Sequence, residues 1–343
     1  MVKKAIIGTG AAVLGAGALY FGVGSFFYQQ LLSRKTASGG MNGLVDAEVL
    51  AGKPGEKKPS IMQRLLEYAS GGSIDDFYQS PYFPMFQAGA KWFFDRNAEK
   101  VTTRSPRGER LHADVIEHET PSDVWVISVH GFTSCPRDMG GCAKVFNSWG
   151  YNVLLPHLGG HNDSEAKFVS MGWHDRLDLL AWIDCLNQKY NNPRIILHGI
   201  SMGSATVMMA TGEDLPPNVL CAVSDCGYTS VWDEYAHQCK NTLRLPTFPF
   251  LNAVDTVFRL RAGFGLKEAS SVEQLKKSKT PTLFIHGDAD DFVPYWMLDK
   301  NYEAAACEKE KLTVPGAGHA ESGYQKELYY GAIKPFIEKY LPA

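Results

Sequence analysis

The pentapeptide Gly199-Ile200-Ser201-Met202-Gly203 sets a serine between two glycines, with the apolar run RIILH before it and SATVMM after it. A G-x-S-x-G at a strand-to-helix junction does a specific job, because small residues on either side let a sharp turn lift the hydroxyl clear of the backbone. Without that context it is only a tight turn. A serine hydroxyl attacks poorly until a base removes its proton, and the base needs a carboxylate to hold its tautomer. In sheets with this kind of elbow the chain order is serine, acid, histidine, each on a loop at the carboxyl end of a strand. Two histidines follow the last apolar runs. His286 belongs to a strand end and reads as structural, whereas His319 lies in the glycine-rich loop Val314-Pro315-Gly316-Ala317-Gly318-His319 and reads as the base. The acid then lies in FIHGDADDFVP, where Asp288, Asp290 and Asp291 are all placed to serve. Spacing leaves the three open.

Positioning these groups requires strands that end near one another. From about residue 98 the sequence alternates short apolar runs (VWVISVH, NVLLP, RIILHG, VLCAVSD, TLFIHG, KLTVP) with amphipathic stretches such as DRLDLLAWIDCLNQKY and KELYYGAIKPFIEKYL. Continuous apolar strands separated by helices imply a mostly parallel sheet covered on both faces. VTTRS and RLHADVIEH, joined by Pro106-Arg107-Gly108, predict an antiparallel hairpin ahead of it. Trp173-His174-Asp175-Arg176 reads as a helix start with His174 structural, and Asp225, after the next strand, as a turn former. Residues about 228–278 form an insertion dense in aromatics and split by Pro246 and Pro249, which predicts two or three short helices as a lid over the catalytic face.

Four segments carry a resemblance: His130-Gly131-Phe132-Thr133-Ser134, Gly199-Ile200-Ser201-Met202-Gly203, the run from His286 to Pro294, and Gly316-Ala317-Gly318-His319. With them the chain from about residue 98 resembles the α/β-hydrolase superfamily, and within it the bacterial membrane-anchored or secreted serine hydrolases related to prolyl-oligopeptidase-like esterases and peptidases. The resemblance implies an α/β-hydrolase fold and a Ser201, Asp290, His319 triad. Asp290 is assigned on the pattern H-G-x-x-D-x-x-V-P, with Asp291 the rival and Asp288 a solvated or turn carboxylate. It also implies an oxyanion hole built from the backbone N–H groups of Phe132 and Met202. Asn162, in Gly160-His161-Asn162-Asp163-Ser164, departs from the second glycine usual in such a loop.

The amino terminus sets further expectations. Residues 5–28 carry no charge, and as a helix of about 36 Å they would cross a hydrocarbon core of about 30 Å. Residues 1–32 are expected to be a single-pass anchor placing an extracytoplasmic catalytic domain at the cell membrane. A cleaved signal peptide, ending near Ala16-Gly17-Ala18, is the alternative. Residues 33–97 read as a tether followed by two aromatic-rich helices, IMQRLLEYA and PMFQAGAKWFFDRN, more suited to covering a domain edge than to lying on lipid. The domain itself is expected over 98–343.

A net charge of −3, with no basic stripe, excludes a nucleic-acid partner. Seven irregularly spaced cysteines match neither a disulfide framework nor a zinc site, and no cofactor or metal is expected. The expected activity is serine hydrolysis of carboxylic esters through an acyl-enzyme, carboxylesterase- or lipase-like, on a small-molecule ester or acyl substrate. A peptidase or acylaminoacyl hydrolase on the same residues, and a non-catalytic tethered binding module, are the alternatives.

Overall fold

A computed structural model describes residues 19–29 and 79–341. Its centre is an eight-stranded sheet in the order β1-β2-β4-β3-β5-β6-β7-β8. The strands are β1 (Glu99–Arg104), β2 (Arg110–Ile116), β3 (Val124–Val129), β4 (Asn152–Pro156), β5 (Arg194–Ile200), β6 (Val219–Asp225), β7 (Thr282–Gly287) and β8 (Lys309–Val314). β1 and β2 form the expected hairpin, β2 runs antiparallel to β4, and from β4 to β8 every neighbour is parallel.

The apolar strand sequences follow from burial on two faces. β3 is buried at every position, and its side chains alternate between two cores. Trp125, Ile127 and Val129 join the core shared with α4 (Asp175–Tyr190) and α5 (Met202–Thr211). Val124 and Val126 join the one shared with α3 (Gly140–Ser148) and α10 (Lys326–Tyr340). α5 is buried on all sides, which accounts for its lack of a polar stripe. α2 (Phe83–Asp95) lies on α3 so closely that a Cβ on Gly89 would come within 2.5 Å of the Gly141 nitrogen. The other aromatic-rich segment, 61–69, falls outside the described residues, as do the tether 33–60 and the cleavage motif 16–18.

The insertion folds as α6 (Val231–Asn241), α7 (Thr247–Ala262) and α8 (Ser271–Leu275). Ser230 and Ser270 cap α6 and α8 by accepting from the Asp233 and Glu273 N–H groups, and the same two residues pair to close its base. α9 (Trp296–Ala304) follows β7. Of the uncharged N-terminal run, 5–18 lie outside the described residues. Residues 19–29 form α1, which packs across α7, and among the described residues no helix is long and apolar enough to cross a membrane.

Candidate active site

Ser201 stands at the junction of β5 and α5 with φ 57° and ψ −120°, a left-handed conformation that only a tightly determined turn holds. Crowding explains both flanking glycines. A Cβ on Gly199 would lie 2.3 Å from the Gly203 carbonyl oxygen, and one on Gly203 would lie 2.1 Å from that of Val129. The Ser201 N–H donates to the Asp225 carbonyl at 2.9 Å, which pins the elbow to β6.

The loops after β7 and β8 bring the other two groups to this point. Ser201 Oγ lies 2.8 Å from His319 Nε2, and His319 Nδ1 lies 2.8 Å from Asp290 Oδ2. The structure therefore joins the three residues singled out for this role in one hydrogen-bonded chain. It also separates the three aspartates. Asp290 is 3% exposed, and its carboxylate accepts the N–H groups of Phe292 and Val293 as well as His286 Nε2–H. Asp288 accepts the Gly316 N–H at 2.6 Å, tying the acid loop to the histidine loop. Asp291 is exposed, and its backbone carbonyl accepts from His237.

Electrostatics follows this geometry. Burial works against a charge on Asp290, but His319 and His286 outweigh it and hold the carboxyl below its ordinary range. Burial also disfavours a charged His319, yet the Asp290 carboxylate prevails and raises the ring well above the ordinary imidazole value. A cation at His319 is thus matched by an anion already in place, as a proton transfer from Ser201 requires.

Gly131 passes so close that a Cβ there would sit 3.3 Å from Ser201 Cβ. Among the described residues the N–H groups of Phe132 and Met202 meet no acceptor, whereas the Thr133 N–H is taken by His161 Nε2. Two free backbone donors beside the serine can stabilise an oxyanion. Asn162 meets the demand of its turn by adopting φ 44° itself.

Some residues play parts that sequence reading assigned differently. His286, read as structural, donates to both Asp290 and the Val293 carbonyl, so it supports the acid directly. Asp225, read as a turn former, is instead a buried carboxyl that accepts from Ser322, and burial raises it to about 6. Phe292 packs its ring 4.8 Å from that of His319. Nothing in FIHGDADDFVP marks that contact beforehand. Cys226, one of the seven cysteines that form no framework in the sequence, lies with Asp290 and His319 in a group whose donor atoms fall within 4.8 Å of one another. Burial pushes its thiol up to about 11, and the other two members already bond each other. His174 is structural, bonded to the Ala262 carbonyl at the end of α7. All seven cysteines are free.

Comparison with known proteins agrees with this architecture. An uncharacterised Bacillus subtilis protein, YqkD, is 28% identical over 227 residues, 65% of this chain and 73% of its own. An esterase of Pyrococcus furiosus superposes with a TM-score of 0.59 at 22% identity, covering 72% of this chain and 95% of the esterase. A Pyrococcus horikoshii acylaminoacyl peptidase superposes with a TM-score of 0.51 at 18% identity over 71% of this chain but 41% of the peptidase. The sequence pattern of the prolyl oligopeptidase family matches residues 139–342, from the end of the Phe132 loop through the elbow, the acid loop and the histidine loop. The chain therefore belongs to the prolyl oligopeptidase family, serine hydrolases with the α/β-hydrolase fold.

Proposed function

We propose that the protein hydrolyses carboxylic esters through an acyl-enzyme on Ser201. The continuous chain from Ser201 Oγ through His319 to Asp290, with both links at 2.8 Å, carries the reading. Ser201 Oγ bonds to the ester carbonyl carbon as its proton passes to His319 Nε2, and the N–H groups of Phe132 and Met202 receive the oxyanion. Collapse expels the alcohol, which takes the proton back from the imidazolium. Water then attacks the acyl-enzyme, gives its proton to His319 and frees the acid, and Ser201 recovers its proton. Asp290 keeps Nδ1 protonated throughout and stays ionised.

The test is labelling with a fluorophosphonate. Wild type becomes tagged at Ser201, and Ser201→Ala does not; equal tagging of both would discard the nucleophile. The ester preference draws support from the match to nearly the whole length of the Pyrococcus furiosus esterase. The peptidase reading draws its support from the family itself. Nitrophenyl esters set against peptide nitroanilides separate the two, with esters expected to be cleaved faster.

In this reading the uncharged run 5–28 attaches the chain to a membrane, with the catalytic domain outside the cytoplasm. Reaction of intact cells with a membrane-impermeant fluorophosphonate tests the side, because a cytoplasmic domain would stay unlabelled.

A further inference from the structure

Nine large apolar side chains are exposed among the described residues, and six of them cluster in two places. Leu19, Phe21 and Phe26 are on α1, and Leu245, Phe248 and Leu260 lie on or beside the lid helix α7. These two helices touch. The Gly24 backbone sits against Ala253, Tyr20 Oη lies 3.1 Å from Thr256 Oγ1, Arg261 donates to Ser25, and Tyr28 is buried with its ring 5.6 Å from Phe258. α1 thus spends one face on the lid and leaves Leu19 and Phe26, seven residues apart on the opposite face, to the outside. Side chains as exposed as Leu260, at 71%, and Phe248, at 75%, disfavour water and call for a partner.

Two observations identify the partner. Residues 5–18, which precede α1 in sequence, are all uncharged, and they join the described chain at Leu19, itself 70% exposed. Residues 239–264 carry Lys240, Arg244, Arg259 and Arg261 against the single acid Asp255, and all four cations are exposed. Apolar side chains ringed by cations suit an anionic lipid surface. The same charges argue against a second copy, since a two-fold contact through this face would set like charges against each other.

We propose that α1 and the lid form the face on which the protein rests against a lipid bilayer, with the lid turned to the lipid. The face is linked to the site, because His237 and Gln238 of α6 donate to the carbonyls of Asp291 and Phe292 on the acid loop. An acyl substrate dissolved in the bilayer would then meet the site through the lid. That consequence rests on the ester reading; the docking face does not.

The experiment uses the full chain in vesicles of phosphatidylcholine and phosphatidylglycerol. The photoreactive residue p-benzoylphenylalanine replaces Phe248, Leu260 or, as a control on the far face of the sheet, Lys334 of α10. Irradiation is expected to give lipid adducts at 248 and 260 and none at 334. Crosslinked dimers at 248 or 260 would overturn the proposal in favour of a second copy, and adducts no more abundant there than at 334 would also overturn it. In a second arm, Phe248→Ser with Leu260→Ser should slow hydrolysis of a vesicle-borne long-chain ester roughly tenfold and leave a water-soluble acetate ester unchanged. Equal effects on both esters would remove the route through the lid. If the wild type cleaves neither ester, the ester reading fails, and the crosslinks still decide the docking face.

Discussion

Asp290 and Glu234 are both buried carboxyl groups, one on the loop after β7 and one on the lid helix α6, and they are held in opposite states. Four donors converge on Asp290: two backbone N–H groups and two imidazoles. Glu234 receives one bond, from Gln238, and its other oxygen meets no partner. Burial acts on both. At Asp290 the donors overcome it and the group stays ionised, while at Glu234 burial prevails and the carboxyl is pushed up to about 8. Charge inside this protein is thus placed by donors rather than by residue type. The acid loop is built to hold an anion, and the buried side of α6 keeps its acid protonated.

The largest test removes the anion. Asp290→Asn should reduce kcat by roughly 10⁴, because an amide can present its NH2 to Nδ1 and fix the wrong tautomer. Asp291→Asn should stay near wild type. The reverse ranking would move the role to Asp291. The pH profile sharpens this. Activity requires neutral His319, which Asp290 raises well above 6.5, so the acidic limb of kcat/KM should lie above that value. In the Asn variant the limb should move down toward 6.5, as the ring loses the charge and the hydrogen bond of the Asp290 carboxylate.

Next in size is the lid acid. The native Glu234 carboxyl keeps its proton to about pH 8, whereas in the unfolded chain it sheds it near 4.5. Across that window the native state binds more protons, so raising the pH costs stability, by at most about 1.4 kcal/mol per pH unit. Glu234→Gln should remove this slope and gain most over wild type at pH 8, measured by urea denaturation at several pH values. Parallel curves for the two proteins would show that Glu234 is ionised and paired, and the contrast with Asp290 would dissolve. A smaller effect is expected at His286. His286→Leu takes one donor from Asp290 and should cost about 1–3 kcal/mol of stability, with a drop in kcat that Asp291→Asn does not share.

The chemistry was more legible than the surface that surrounds it, for a physical reason. The elbow, the acid loop and the histidine loop are short stretches whose backbones are forced into fixed paths by contacts within a few residues. Ser201 must take a positive φ between glycines that cannot carry a side chain, and Asp290 binds N–H groups two and three residues ahead of it. Such constraints leave a local pattern. The strands were legible too, since burial on both faces demands an unbroken apolar run. His286 was read as structural, and neither Phe292 nor Cys226 was singled out for the site, because their contacts with Asp290 and His319 depend on how two loops meet. α1 was read as part of a spanning segment because its sequence is apolar throughout. Only the fold shows that one side of it is used on Phe258 and Ala253 and the other left over.

The smallest expected effect tests whether the two regions are independent. At Gly24 a Cβ would lie 2.4 Å from the Ala253 carbonyl oxygen and 2.8 Å from Val257 Cγ2. The first of these is helix backbone and cannot step aside, so Gly24→Val should push α1 off α7, at a cost of about 1–3 kcal/mol. Exposed amides of α7 should then exchange hydrogen faster, while Ser201 should react with a small fluorophosphonate at the wild-type rate. The triad is held by the sheet and by bonds that never pass through α1. If labelling slowed in step with the loss of protection at 247–262, the acid loop would have to depend on the lid through His237 and Gln238, the bonds that join them. Removing those side chains should then reproduce the slowing without any change at Gly24.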